Sequence, residues 1–140
     1  MKKLLTATAV LATLAAPAFA EGDAAKGEKT FKKCKACHTI AADDGTVIMK
    51  GGKTGPNLYG VIGRTAGTYE GFKYGNSIVA AGEAGLVWDE ENLAHFVADP
   101  NAYLKEVTGD GSAKSKMTYK LKKDGEDVAA YLASVAPAAE

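Results

Sequence analysis

Apolar residues recur along this chain with the period of a helix, and nowhere over a useful length with the two-residue alternation of a strand. Between Gly22 and Cys34 the residues Ala24, Gly27, Phe31 and Cys34 fall on one face, with Asp23 placed to cap, so a helix is predicted there. The stretch "WDEENLAHFVADP" predicts a second: Asp89 caps, Glu90 and Glu91 suit the positive end of the dipole, Leu93, Phe96 and Val97 share a face, and Pro100 ends it. Asp99-Pro100 can open another short helix through Tyr103 and Leu104. Near the C-terminus Val128, Tyr131, Leu132 and Val135 stand at i, i+3, i+4 and i+7, the clearest amphipathic signal in the chain. Asn76 to Ala84 predicts a short helix weakened by Gly82. The expected fold is small, all-α and loop-rich.

Ala41 to Thr68 breaks this pattern, with seven glycines and one proline, including "GGKTGPN". It reads as loop, and such a glycine load points to backbone wrapped closely around something. The first twenty residues differ again: Lys2 and Lys3, an apolar run from Leu4 to Ala16, then Ala18-Phe19-Ala20. That is the layout of a cleaved secretory signal, too short for a membrane span, so residues 1–20 are expected to be removed and 21–140 to form one domain. Export implies an oxidising compartment. Loss of the two lysines leaves 15 basic against 17 acidic residues, a near-neutral balance that gives no reason to expect nucleic acid binding.

Against that background the only two cysteines stand in Cys34-Lys35-Ala36-Cys37-His38. C-x-x-C-H is the arrangement by which haem is attached: each thiol adds to a vinyl group, and the adjacent histidine lies beneath the iron. Three alternatives fit less well. A zinc site needs a fourth ligand and finds only His95 or carboxylates. Thioredoxin-like chemistry expects a βαβ context, and a plain disulfide does not need the histidine.

The class of haem protein depends on the sixth ligand, since an open position permits ligand or peroxide chemistry and a second protein ligand favours electron transfer. Met49, Met117 and His95 are the candidates. Met49 continues the apolar run Val47-Ile48-Met49 and reads as packing, while His95 lies off the apolar face of its helix. Met117 stands isolated in the polar, lysine-rich "AKSKMTYKL" and is the preferred ligand. A neutral thioether opposite histidine raises the potential. Lys32, Lys33, Lys35, Lys50 and Lys53 flank the histidine segment, and Lys114, Lys116, Lys120, Lys122 and Lys123 surround Met117. Glu83, Asp89, Glu90, Glu91 and Asp99 gather elsewhere in sequence, so a near-neutral molecule can carry a dipole and a basic docking rim.

Taken together, "GDAAKGEKTFKKCKACHTI", "GGKTGPNLYGVIGRTAGTYEGFKYGNSIV", "VWDEENLAHFVADPNAYL", "KSKMTYKL" and "GEDVAAYLASV" resemble, in that order, the class I c-type cytochromes of the bacterial cytochrome c2 and c550 group. The resemblance spans essentially the whole chain after the signal. It implies one haem c held by thioethers from Cys34 and Cys37, with His38 and Met117 as axial ligands. Pro56 would then offer its carbonyl to the other nitrogen of His38. By the same resemblance Arg64, Tyr74 and Trp88 meet the buried propionates, and Gly27 and Phe31 pack the first helix across Val128 and Tyr131. Phe96 stands where close relatives carry a tyrosine whose hydroxyl approaches the methionine sulfur, so that hydrogen bond is expected to be missing.

The implied function is that of a soluble, monomeric, periplasmic one-electron carrier and not an enzyme. Its implied partners are the cytochrome bc1 complex and either a photosynthetic reaction centre or a cytochrome oxidase, with membrane contact only through them. A haem peroxidase or ligand sensor, with an open sixth site, is the rival reading, and a haem-free dithiol or metal-binding protein a second.

Overall fold

The computed structural model describes residues 22–137, and the expected signal segment lies outside them. Five helices follow in order: α1 (Ala24–Phe31), α2 (Asn76–Glu83), α3 (Glu90–Ala98), α4 (Pro100–Thr108) and α5 (Gly125–Ser134). Each predicted helix is present. The first stops short of its predicted end, because the chain tightens into turns through the cysteine motif. Helix α4 runs one turn further than its pattern showed, and ends on Gly109 in the left-handed conformation.

Caps account for the sharp starts. Asp23 accepts from the amide of Lys26, and Asp89 forms a reciprocal capping box with Asn92. Asp99, with Pro100 in the first turn, caps α4 through the amide of Ala102. None of the described helices is long and apolar enough to cross a membrane.

Two departures from an all-α expectation lie in the glycine-rich stretch and its neighbour. Strands β1 (Ile40–Ala41) and β2 (Val47–Met49) form a small antiparallel hairpin, with Ile40 opposite Met49. Strands this short carry too few positions for an alternation to be read. Residues 63–66 also pair with 86–88, through Gly63 N–H to Trp88 O at 2.7 Å, Trp88 N–H to Arg64 O at 2.9 Å and Ala66 N–H to Leu86 O at 2.9 Å. Gly82 belongs to this contact: a Cβ there would lie 2.0 Å from the Ala66 carbonyl oxygen. What reads as a weakness in α2 is the clearance that lets the 63–66 segment approach.

The core is organised by α1 crossing α5, with α3 on α5 and α4, and α2 on α4. Gly27 sits at the crossing, where a Cβ would fall 1.8 Å from the Asp127 carbonyl oxygen and 2.8 Å from Tyr131 Cβ. Phe31, one turn on, is fully buried, its ring 5.8 Å from that of Tyr131. At the entrance to α1 the amide of Asp23 donates to Asp127 Oδ1 at 2.6 Å. The helix that leads into the cysteine motif is thereby fixed on the last helix at both ends.

We predict that Gly27→Ala forces these helices apart and lowers unfolding free energy by about 3 kcal/mol or more, since the clash is with backbone that cannot yield. Gly111→Ala, with nothing within 4 Å of the added carbon, should stay within about 0.5 kcal/mol of the parent. Denaturant unfolding of the two holoproteins checks the contrast, and equal midpoints would show that the crossing tolerates a wider spacing.

Candidate functional site

The motif leaves α1 as consecutive turns, with the amides of Cys34 and Lys35 bonding to Phe31 O and those of Cys37 and His38 to Cys34 O. This winding leaves Cys34 half-buried against the core and Cys37 exposed, and the two thiols are not joined to each other. Burial pushes the Cys34 thiol up to about 11, opposed by Lys33 and aided by Cys37, so it is protonated at neutral pH.

The glycine-rich stretch wraps around this motif. Gly52 N–H donates to Lys35 O at 2.9 Å, and Gly55 N–H donates to Cys37 O at 2.8 Å. A Cβ on Gly51 would lie 1.8 Å from His38 O, one on Gly52 2.2 Å from Ala36 O, and one on Gly55 2.3 Å from Cε1 of the His38 ring. Gly51 and Gly52 are needed because the loop backbone touches the backbone of the motif, and Gly55 because it touches the His38 ring. Pro56 follows directly, and its carbonyl lies 2.8 Å from His38 Nδ1. With Nδ1–H donating there, the lone pair of Nε2 is left for a metal. Burial also lowers the His38 pKa, partly offset by the Pro56 carbonyl, which favours the neutral, ligating form.

Asn57, which sequence reasoning did not single out, ties this loop to its surroundings. Its amide accepts from Ala41 N–H at 3.1 Å and from Tyr59 N–H at 3.1 Å, and donates to Ala41 O at 2.7 Å. Its carbonyl oxygen accepts from Arg64 Nη1 at 3.1 Å, while Arg64 Nη2 donates to Tyr59 O. The available signal was its place directly after Gly55-Pro56, where side-chain amides favour turn bonding.

Arg64 is half-buried, with its guanidinium 4.8 Å from the centre of the Tyr69 ring. Burial lowers its pKa, opposed by Tyr74 and Tyr69. Tyr74 accepts from the Tyr69 amide at 3.2 Å, and burial raises its pKa against that bond and Arg64. The pairing of 63–66 with 86–88 brings Trp88 beside Arg64 in the backbone ladder. Trp88 is buried, 5.0 Å from the Phe96 ring and 6.2 Å from that of Tyr103, which also meets Phe96 edge-on at 6.2 Å.

Met117 lies where no regular element holds the chain, between α4 and α5. Its amide donates to Ser115 Oγ at 3.0 Å, and the Ser115 amide donates to Asn101 Oδ1 at 2.7 Å. The side chain is half-buried against the core, as are Cys34, Leu58, Ile62, Ile78 and Leu86. Met49 is half-buried on β2, and His95 is exposed on α3, beside a groove it lines with Glu91, Lys122 and Glu126.

These residues fit a covalently held haem. The donor set is two unpaired thiols, an imidazole with its second nitrogen already engaged and a thioether, and of these Cys34 and Met117 lie half-covered against the apolar core. All ten lysines named above are exposed. One acid is not where the sequence reading put it: Asp99 pairs with Lys120 at 2.7 Å. The capping position of Asp99 places it against the segment that follows Met117, so the separation of charges is incomplete there.

No family model matches the chain. Among known proteins it is 66% identical to cytochrome c2 of Rhodobacter capsulatus over 136 residues, covering 96% of this chain and 98% of that one. It is 56% identical to cytochrome c-550 of Paracoccus versutus over 140 residues, covering 98% and 91%. The solved structure of the Rhodobacter capsulatus cytochrome c2 superposes with a TM-score of 0.81 at 67% identity, over 81% of this chain and 98% of that chain. That of ferric cytochrome c-550 from Paracoccus versutus gives 0.81 at 58% identity, over 84% and 100%. The small hairpin therefore sits within a class I cytochrome c fold. The identity, carried along almost the full length of both relatives, means that the chain belongs to the cytochrome c2 group of class I c-type cytochromes, electron-transfer proteins with covalently bound haem c.

Proposed function

We propose that this chain is a soluble periplasmic carrier of single electrons, exported by its first twenty residues and released when they are cleaved. Electrons would come from a cytochrome bc1 complex and pass to a photosynthetic reaction centre or a terminal oxidase. When bound, haem c supplies the one-electron Fe(III)/Fe(II) couple. The observation that carries the reading is the His38 imidazole, fixed by the Pro56 carbonyl at Nδ1 and by the Gly55 backbone against its ring. A ring so held has one nitrogen to give and no freedom to move away.

Each remaining residue has a task set by its chemistry. Cys34 and Cys37 would hold the porphyrin through thioethers, and His38 and Met117 would supply nitrogen and sulfur to its iron. A soft, neutral donor favours the reduced iron and gives a moderately high potential. Arg64, Tyr74 and Trp88 supply charge and hydrogen bonds to propionates, and Phe96 contributes an apolar wall without a hydroxyl. The exposed lysines flanking both ligand segments form a rim that steers the protein to acidic partners, in contacts weak enough for quick release.

We predict that Met117→Ala abolishes the ferric sulfur-to-iron charge-transfer band and admits cyanide or azide, whereas Met49→Ala retains the band; the reverse pattern would show the ligand assignment to be wrong. Electron transfer to an acidic membrane partner should slow as salt rises, over the range where the screening length falls below about 10 Å. Lys53→Ala should slow it more than Lys120→Ala, because Lys120 is already neutralised by Asp99. Stopped-flow rates across ionic strength test both statements, and rates indifferent to salt would count against the lysine rim.

A further inference from the structure

From Gly109 to Asp124 the chain has no regular element, longer than the about 12–15 residues that loops usually reach without a functional reason. Beyond the backbone bond from Leu121 N–H to Val97 O at 2.7 Å and the reach of Lys116 Nζ to Lys73 O at 3.1 Å, it is held by side chains of other elements that accept its amides. Near Met117 there are two, and they come from different helices. The Lys114 amide donates to Ser77 Oγ on α2 at 3.0 Å, and the adjacent Ser115 amide donates to Asn101 Oδ1 on α4 at 2.7 Å. Helices α2 and α4 pack on each other, so the two acceptors are held at a fixed separation. Ser115 then passes the constraint on, since its hydroxyl accepts the amide of Met117 itself.

We propose that Asn101 and Ser77 are positioning residues that clasp the methionine segment and set how often Met117 leaves its place. The proposal rests on the reading of Met117 as an iron ligand. Two consecutive amides in a loop would otherwise bond to water and leave the backbone free to swing. Clasped, they confine residues 114 and 115, and Met117 follows through its serine. Both bonds are between neutral groups, so the clasp does not weaken with salt, unlike the Lys120–Asp99 pair further along. Asn101 lies in the first turn of α4, next to Pro100, and α4 has its own cap in Asp99. Its amide is therefore not needed to start the helix.

An external ligand of ferric iron competes with Met117, so its apparent affinity measures the open fraction of the segment. In the ferric holoprotein, Asn101→Ala should raise azide affinity about five-fold, as expected for loss of one hydrogen bond. It should also speed hydrogen exchange at the Ser115 amide, and lower stability by no more than that one bond. Asn101→Asp, which keeps an acceptor oxygen, should restore the parent values, and Ser77→Ala should act like Asn101→Ala with faster exchange at Lys114. Met117→Ala is the control that separates the two levels. If it binds azide strongly while Asn101→Ala and Ser77→Ala match the parent, the clasp is wrong and the ligand reading stands. If Asn101→Ala lowers the midpoint without moving azide affinity, the residue is merely structural and the proposal is again overturned. If Met117→Ala keeps the sulfur band, the underlying reading fails first.

Discussion

The His38 ring is held by backbone, and much of the site is arranged around that contact. Gly55 lies against the ring at a distance no side chain would permit, and Pro56 supplies the acceptor for Nδ1. For this to happen the loop must lie along the motif from Lys35 to His38, which is why Gly51 and Gly52 also lack room for a Cβ. Asn57 then secures the loop to Ala41, and its carbonyl takes one bond from Arg64. A chain of contacts thus leads from one imidazole to the guanidinium proposed to face the propionates.

Three helices were legible because an apolar stripe meets a cap or a stop, Asp23, Asp89 and Asp99 at starts and Pro100 at an end, while α5 was legible from its stripe alone. The cysteine motif was legible for a different reason, since the chemistry of attachment fixes its spacing. Sequence could not give the pairing of 63–66 with 86–88, which joins stretches with no alternation across some twenty residues. Nor could it give the meaning of Gly82, whose missing carbon matters only once Ala66 is beside it. The glycine load between Ala41 and Thr68 was read as wrapping around something, and part of that something is the motif itself. Asn57 escaped notice because its bonds are to residues that only the folded loop brings near.

Charge shows a similar limit. Counting lysines along the chain separates them from the acids, but Asp99 both caps α4 and meets Lys120. An exposed pair of this kind contributes little to stability, yet it removes one charge from the rim proposed to steer docking. The effective rim is thus smaller than the sequence count implies.

Phe96 connects these points to the methionine. A buried tyrosine generally needs a partner for its hydroxyl, and where the family pattern places one, the resemblance assigns that partner to the methionine sulfur. Here the ring has no hydroxyl and is buried between Trp88 and Tyr103, with centroids 5.0 and 6.2 Å away. Packing with those two rings holds Phe96 but gives nothing directional to the thioether. Besides the packing of its side chain on the core, Met117 is held through its backbone, where bonds run to Ser115 and on to Asn101. If Met117 is the iron ligand as proposed, a Phe96 ring without a hydroxyl leaves those upstream tethers as the directional contacts that act on its segment.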